Sequence, residues 1–193
     1  MTKTEKEKEV LTFEKPQEFR KWLAKNHGVS TGVWLRHFKK DSGKKGITYA
    51  EALDEALCYG WIDSQKNAYD AESFIQRFSP RKTKSVWSKR NIEHIARLTR
   101  AKRMKSAGLA QVVAAKKDGR WEQAYDSPAN MKIPDDFLVA LKKDKKAKTF
   151  FDTLNRANLF AIGWRLQTAK KPETRAKRMK AILAQLKAGK KFH

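Results

Sequence analysis

Residues 50–90 read AEALDEALCYGWIDSQKNAYDAESFIQRFSPRKTKSVWSKR, and this stretch decides the fold. Just before it, Thr48 and Glu51 stand in the T-x-x-E spacing of a capping box, so a helix starts there. At ~100° per residue, Tyr49, Ala50, Leu53, Ala56 and Leu57 share one face. Glu51, Asp54, Glu55 and Cys58 share the other. Gly60 stops the helix, because glycine tolerates the left-handed backbone of a C-terminal cap. Trp61-Ile62-Asp63 leaves as a strand, and Ser73 to Phe78 has the residues of its partner. The following turn gathers Arg77, Pro80, Arg81, Ser85, Trp87, Ser88 and Arg90. Rigid aromatics and arginines are densest here.

Toward the N-terminus, residues 1–9 alternate lysine and glutamate and predict a solvated leader. Val10 to Phe13 predicts a short strand. Pro16 suits a first helical position, with Phe19, Trp22 and Leu23 on an apolar face and a stop near Asn26-His27-Gly28. Thr31 to Phe38 alternates as a strand. Toward the C-terminus the pattern is helical. Ile92, Ile95 and Leu98 form a stripe opposite Lys89, Arg90, Arg97 and Arg100. Ser106 can cap a helix that ends at Gly119. Arg120 to Met131 is a loop, Pro134-Asp135-Asp136 a helix start, and Lys142 to Lys148 a lysine-rich bend. Thr149 to Thr168 predicts one or two buried helices, and Pro172 to Gly189 the last one.

The fold expected is therefore α+β. Residues 1–84 form a small antiparallel sheet with helices, and residues 85–193 an all-helical region packed against it in one compact unit.

The chain has 193 residues, 40% of them hydrophobic and six of them tryptophan, enough for a core. Its formal net charge is +23. Arg77–Lys105 holds eleven Lys/Arg and one Glu, and Lys170–His193 nine and one, so 18 of the 23 net charges fall in 53 residues. Clustered charge points to an anionic partner: nucleic acid, an acidic protein or an anionic membrane surface. The alternative is two solvated helix faces that never meet. Cys58 is the single cysteine, which excludes an internal disulfide and a cysteine-based zinc site and suits a cytoplasmic protein. No signal peptide is visible, and the longest apolar run is interrupted by Arg165, so no membrane span is expected.

Two arginines break the amphipathic pattern. Arg175 lies on the stripe of Met179, Ile182 and Leu186, and Arg165 shares a narrow polar strip with Asn158. A guanidinium on a buried face must find a carboxylate, carbonyls or a bound anion. An internal ion pair with Asp63, Asp54 or Glu51 is one outcome. The other is an anion pocket in which Arg165 and Arg175 join Arg77, Arg81, Ser85, Arg90 and Asp63, floored by Trp61, Trp87 or Trp164. Such a pocket would lie between the two halves.

Catalytic signatures are missing. There is no phosphate-binding glycine loop, no H-E-x-x-H and no G-x-S-x-G, and the four histidines lack metal-ligand spacing. Neither cofactor nor metal is expected, and a non-catalytic protein is favoured over an enzyme. Cys58 has acidic neighbours, which oppose a reactive thiolate.

The runs ITYAEALDEALCYGWIDSQ, FIQRFSPRKTKSVWSKRNIEHIARL, AAKKDGRWEQAYDS and AKKPETRAKRMKAIL together resemble the YdeI/OmpD-associated proteins, also labelled bacteriocin-protection proteins. The resemblance spans about Phe13 to Gly189, and Asp135 to Leu186 looks like the domain that gives the family its name. It implies association or protection rather than a reaction, and it transfers no catalytic residue. A more distant similarity is to iron-chaperone-like domains, but the acidic ridge such a chaperone needs is missing, so metal binding is not carried over. The function expected is a cytoplasmic stress or protection protein that binds a polyanion, with nucleic acid a candidate, through a basic Arg/Trp-rich face. The alternatives are a protein for a small anion, catalytic or not, and a protein-interaction module.

Overall fold

A computed structural model describes residues 9–192, so the expected leader lies outside it except for Glu9. Among the described residues the order is β1 (Val10–Leu11), α1 (Pro16–Asn26), β2 (Val33–Phe38), α2 (Tyr49–Cys58), β3 (Trp61–Ala68), β4 (Ser73–Pro80), α3 (Lys89–Arg100) and α4 (Ser106–Lys117). Then come α5 (Asp135–Lys142), α6 (Lys145–Phe151), α7 (Arg156–Gln167) and α8 (Pro172–Lys187). The fold is α+β.

The sheet has the order β1-β2-β4-β3. β4 pairs antiparallel with β2 and with β3, while the two residues of β1 add to β2 in parallel. Alternation along β2 puts Val33, Leu35 and His37 on the face that meets the helices. Phe78, opposite Val33, packs its ring 5.8 Å from that of Phe19 on α1. Phe19, Leu23, Leu35 and Phe78 are sealed from solvent. α2 starts as its capping box requires: Thr48 Oγ1 accepts from the Glu51 amide, and the Glu51 carboxylate accepts from the Thr48 amide.

By internal contacts the chain forms two compact units. One holds the described residues of Met1–Ser85 together with Glu93–Asp118, and the other holds those of Val86–Ile92 and Gly119–His193. The last two thirds of α3 and all of α4 thus belong with the sheet. Within the first unit α4 packs tightly on α2, because Gly108 lets the helix backbone approach the Cys58 carbonyl. The second unit has its own core of Phe137, Leu141, Ala147, Ile162, Leu166, Ile182 and Leu186. Asn155 caps α7 by accepting from the Asn158 amide.

Several local expectations shift. β2 begins at Val33 rather than Thr31, after Gly32 at φ +141°. Ser106 is the first helical residue instead of the cap, since Lys105 is held extended by the hydrogen bond its backbone N–H donates to the Cys58 carbonyl. The bend over Lys142–Lys148 is shorter than expected, because Asp144 caps α6 at Lys145. The largest correction concerns α2. Glu55 and Cys58, on the acidic face of the helical pattern, are both 1% exposed, while Ala50 on the opposite face is exposed. α2 is covered from two sides, by α1 and by α4, so a one-faced amphipathic pattern does not describe it.

Candidate functional site

The acid residues of α2 are spent inside the first unit. Glu55 receives Arg20 Nε at 2.8 Å and Nη2 at 2.6 Å from α1, and Arg103 Nη2 at 2.8 Å from the α3–α4 turn. Asp54 receives Arg97 Nη2 at 2.6 Å and lies 3.0 Å from His94 Nδ1. Burial alone would raise the Asp54 carboxyl, but the hydrogen bonds from Arg97 and His94 outweigh it and hold the carboxyl below its ordinary value. Burial pushes the Cys58 thiol up to about 11, which leaves it protonated and unreactive at neutral pH.

Five of the expected site residues lie in the first unit. Trp61 is 1% exposed, donates its indole N–H to the His27 carbonyl at 3.1 Å and meets the Trp22 ring edge-on. Asp63 accepts from the Tyr49 hydroxyl at 2.8 Å. Arg77 donates to the Thr31 carbonyl at 3.1 Å and lies over Gly32, where a Cβ would come within 2.8 Å of Nη2. Arg81 is buried, and its amide bonds the Gly60 carbonyl. Ser85 Oγ accepts from the Lys82 amide, closing the turn after β4.

The other five lie in the second unit. Trp87 is 1% exposed, with its ring 5.0 Å from that of Trp121. Arg90 is exposed. Trp164 meets the Tyr125 ring edge-on at 6.2 Å. Arg165 donates to the Ala161 carbonyl at 2.9 Å and lies 5.1 Å from the Phe192 ring. Arg175 forks onto both oxygens of Asp136, at 2.6 and 2.7 Å, and donates to the Leu166 carbonyl at 2.9 Å. An internal ion pair was one of the two outcomes expected for Arg175, but its carboxylate is Asp136, not Asp63, Asp54 or Glu51. Those three are engaged with Tyr49, with Arg97 and His94, and with the α2 cap. Asn158, read as half of a polar strip, is 1% exposed and accepts from the Phe192 amide at 2.7 Å.

Arg178 is the residue that sequence reasoning missed. It donates to the Arg165 carbonyl at 2.7 Å and the Thr168 hydroxyl at 3.1 Å, so Arg175 and Arg178 together satisfy the open carbonyls at the end of α7. Its spacing of three from Arg175 was the available signal.

Two exposed stretches are rich in cations. Arg100, Lys102 and Lys105 are exposed within six residues of the α3–α4 turn. Along α8 and the segment before it, Lys170, Lys171, Lys177 and Lys180 are exposed. None of these seven has a carboxylate partner among the described residues, while the neighbouring Arg97 and Arg103 do. Among the described residues no group of three or more His, Cys, Asp or Glu is placed to hold a metal. No helix there is long and apolar enough to cross a membrane.

Comparison with known proteins matches two segments of the chain. Residues 11–111, just over half of the chain, match the family described as Domain of unknown function (DUF8412). Residues 130–189 match the family described as Bacteriocin-protection, YdeI or OmpD-Associated. No curated protein and no solved structure matches the chain. The chain belongs to the DUF8412 family and carries, over residues 130–189, the YdeI or OmpD-associated domain that its C-terminal motifs resemble.

Proposed function

We propose that this is a non-catalytic cytoplasmic protein of the stress or protection type that holds a polyanion, with nucleic acid the first candidate. The contacts would come from Arg100, Lys102 and Lys105 at the α3–α4 turn and from Lys170, Lys171, Lys177 and Lys180 along α8. One observation carries this: Asp54, Glu55 and Asp136 are consumed by internal pairs with Arg20, Arg97, Arg103 and Arg175, while these seven cations stay exposed without a carboxylate partner among the described residues. Free cations of this kind bind backbone phosphate by releasing condensed counterions. Trp61 and Trp87 are sealed in the cores, so base stacking on those rings is not part of the proposal.

The test is titration of labelled DNA and RNA with the full chain at low and at moderate salt. Saturable binding that weakens steeply with salt is expected, and no binding at low salt would end the idea. An acidic protein that co-purifies after nuclease treatment, in place of nucleic acid, would favour an interaction module instead.

A further inference from the structure

α6 places Lys146, Thr149, Phe150 and Thr153 at intervals of three and four, so all four share one side of the helix and the turn that follows it. α8 brings Leu186 and Lys187 opposite them. Between the two elements opens a cavity of about 360 Å³. That volume is near the lower end of the ~300–1,000 Å³ usual for small-molecule sites.

The walls are apolar for a specific reason. Thr149 donates its hydroxyl proton to the Lys145 carbonyl at 3.0 Å, and Thr153 donates to the Phe150 carbonyl at 2.7 Å. Both protons are thus used inside the helix, and little donor capacity is left for a ligand. Leu186 is fully buried, and Phe150 is packed against the same core. Gly189, at φ +66°, ends the wall, and a Cβ there would first meet Phe150 Cε2 at 4.0 Å. Polar character is confined to the rim. Lys146 is exposed with no carboxylate partner among the described residues. The Lys187 side chain is 64% exposed and reaches Asp144 at 3.2 Å, which occupies one of its three N–H donors.

We propose that this groove is a binding site for a free amphipathic carboxylate, with an aliphatic chain along Phe150, over the buried Leu186, and the head group between the Lys146 and Lys187 ammonium groups. A nucleic acid would make no use of the apolar floor, and a neutral hydrocarbon none of the ammonium groups. The site is independent of the polyanion proposal and uses none of its seven cations.

The test uses the full chain with methyl-labelled leucine and threonine and titrates octanoate below its micelle concentration. Saturable shifts at Leu186, Thr149 and Thr153 are expected. Octanol, which lacks the charge, and acetate, which lacks the chain, should each bind about tenfold or more weakly. Thr153→Trp fills the cavity from an exposed position and should abolish octanoate binding while leaving the nucleic-acid titration unchanged. Lys146→Gln should weaken octanoate by about two- to fivefold. Octanoate that shifts none of these methyls, that binds no better than octanol, or that still binds to a folded Thr153→Trp variant would overturn the proposal.

Discussion

Glu55, 1% exposed on α2, accepts two hydrogen bonds from the Arg20 guanidinium of α1, at 2.6 and 2.8 Å. Arg103 closes on the same carboxylate from the α3–α4 turn. The two sides of this cluster differ in exposure. The Arg20 side chain is 40% exposed and that of Arg103 33%, so if the carboxylate is removed Arg20 can turn to water and Arg103 keeps Asp54 at 3.7 Å. Glu55 has no such route. Glu55→Leu should therefore cost about 1–2 kcal/mol, whereas Arg20→Met with Arg103→Met, which strands a buried carboxylate, should cost about 3–5 kcal/mol. Urea unfolding of both variants at neutral pH checks the order, and equal losses would contradict it.

Acid should weaken the first unit in two stages. Burial lowers the His37 pKa from its ordinary value of 6.5, only partly countered by the hydrogen bond between Nδ1 and the Ile47 carbonyl. Nε2 is buried without a partner, so a proton added there has nothing to receive it. A depressed folded pKa means that the unfolded chain takes the proton first. The contribution is intact above 6.5 and is lost as pH falls below it. Asp54 is also depressed, from 3.8, so its contribution is intact above that value and lost only below it. His37→Asn keeps a donor for the Ile47 carbonyl and should flatten the stability curve as pH falls below 6.5, with the Asp54 loss at lower pH unchanged. Denaturation midpoints taken across that range decide it.

Two helical glycines should respond differently to alanine. A Cβ on Gly108 would come within 2.3 Å of the Cys58 carbonyl oxygen and 2.8 Å of that of Leu57, both backbone atoms at the end of α2. Neither can move without shifting the helix, so Gly108→Ala should cost about 1–3 kcal/mol. On α7, a Cβ on Gly163 meets Met131 Cγ and Sδ at 2.6 Å, the flexible part of a side chain. Met131 can turn aside, and alanine is the better helix former by about 1 kcal/mol, so Gly163→Ala should be close to neutral. Thermal unfolding of the two variants makes the comparison.

The elements that could be read from the sequence are those fixed by local chemistry. The Thr48–Glu51 box, the Gly60 stop and the Pro16 and Pro172 starts needed only neighbouring residues, and all are found. What could not be read depends on which element comes to lie beside which. Burial of Glu55 has no local signal, because its two arginines lie 35 residues before it and 48 after it. Arg175 was recognised as needing an anion, but its carboxylate on α5 could not be chosen from the sequence, where Asp136 reads as an ordinary first-turn acid. The groove between α6 and α8 left no trace either, since Thr149 and Thr153 look polar until their protons are seen to bond within the helix.

That same separation of spent from unspent charge sets the expected salt dependence. Arg97 and Arg103 are bound to Asp54 and Glu55, while Arg100, Lys102 and Lys105 between and beside them are not. If duplex DNA is held at the turn, each phosphate contact contributes about 0.9 to the slope of log affinity against log salt. Replacing Arg100, Lys102 and Lys105 together by glutamine should lower that slope by about 2–3. Replacing Arg97 instead should chiefly reduce stability, because it exposes Asp54 to the loss of its strongest donor, and should move the slope by less than about 1. Filter binding at four or more salt concentrations separates the two. A triple variant with an unchanged slope would remove the turn from the interface and leave the lysines along α8 to account for any binding.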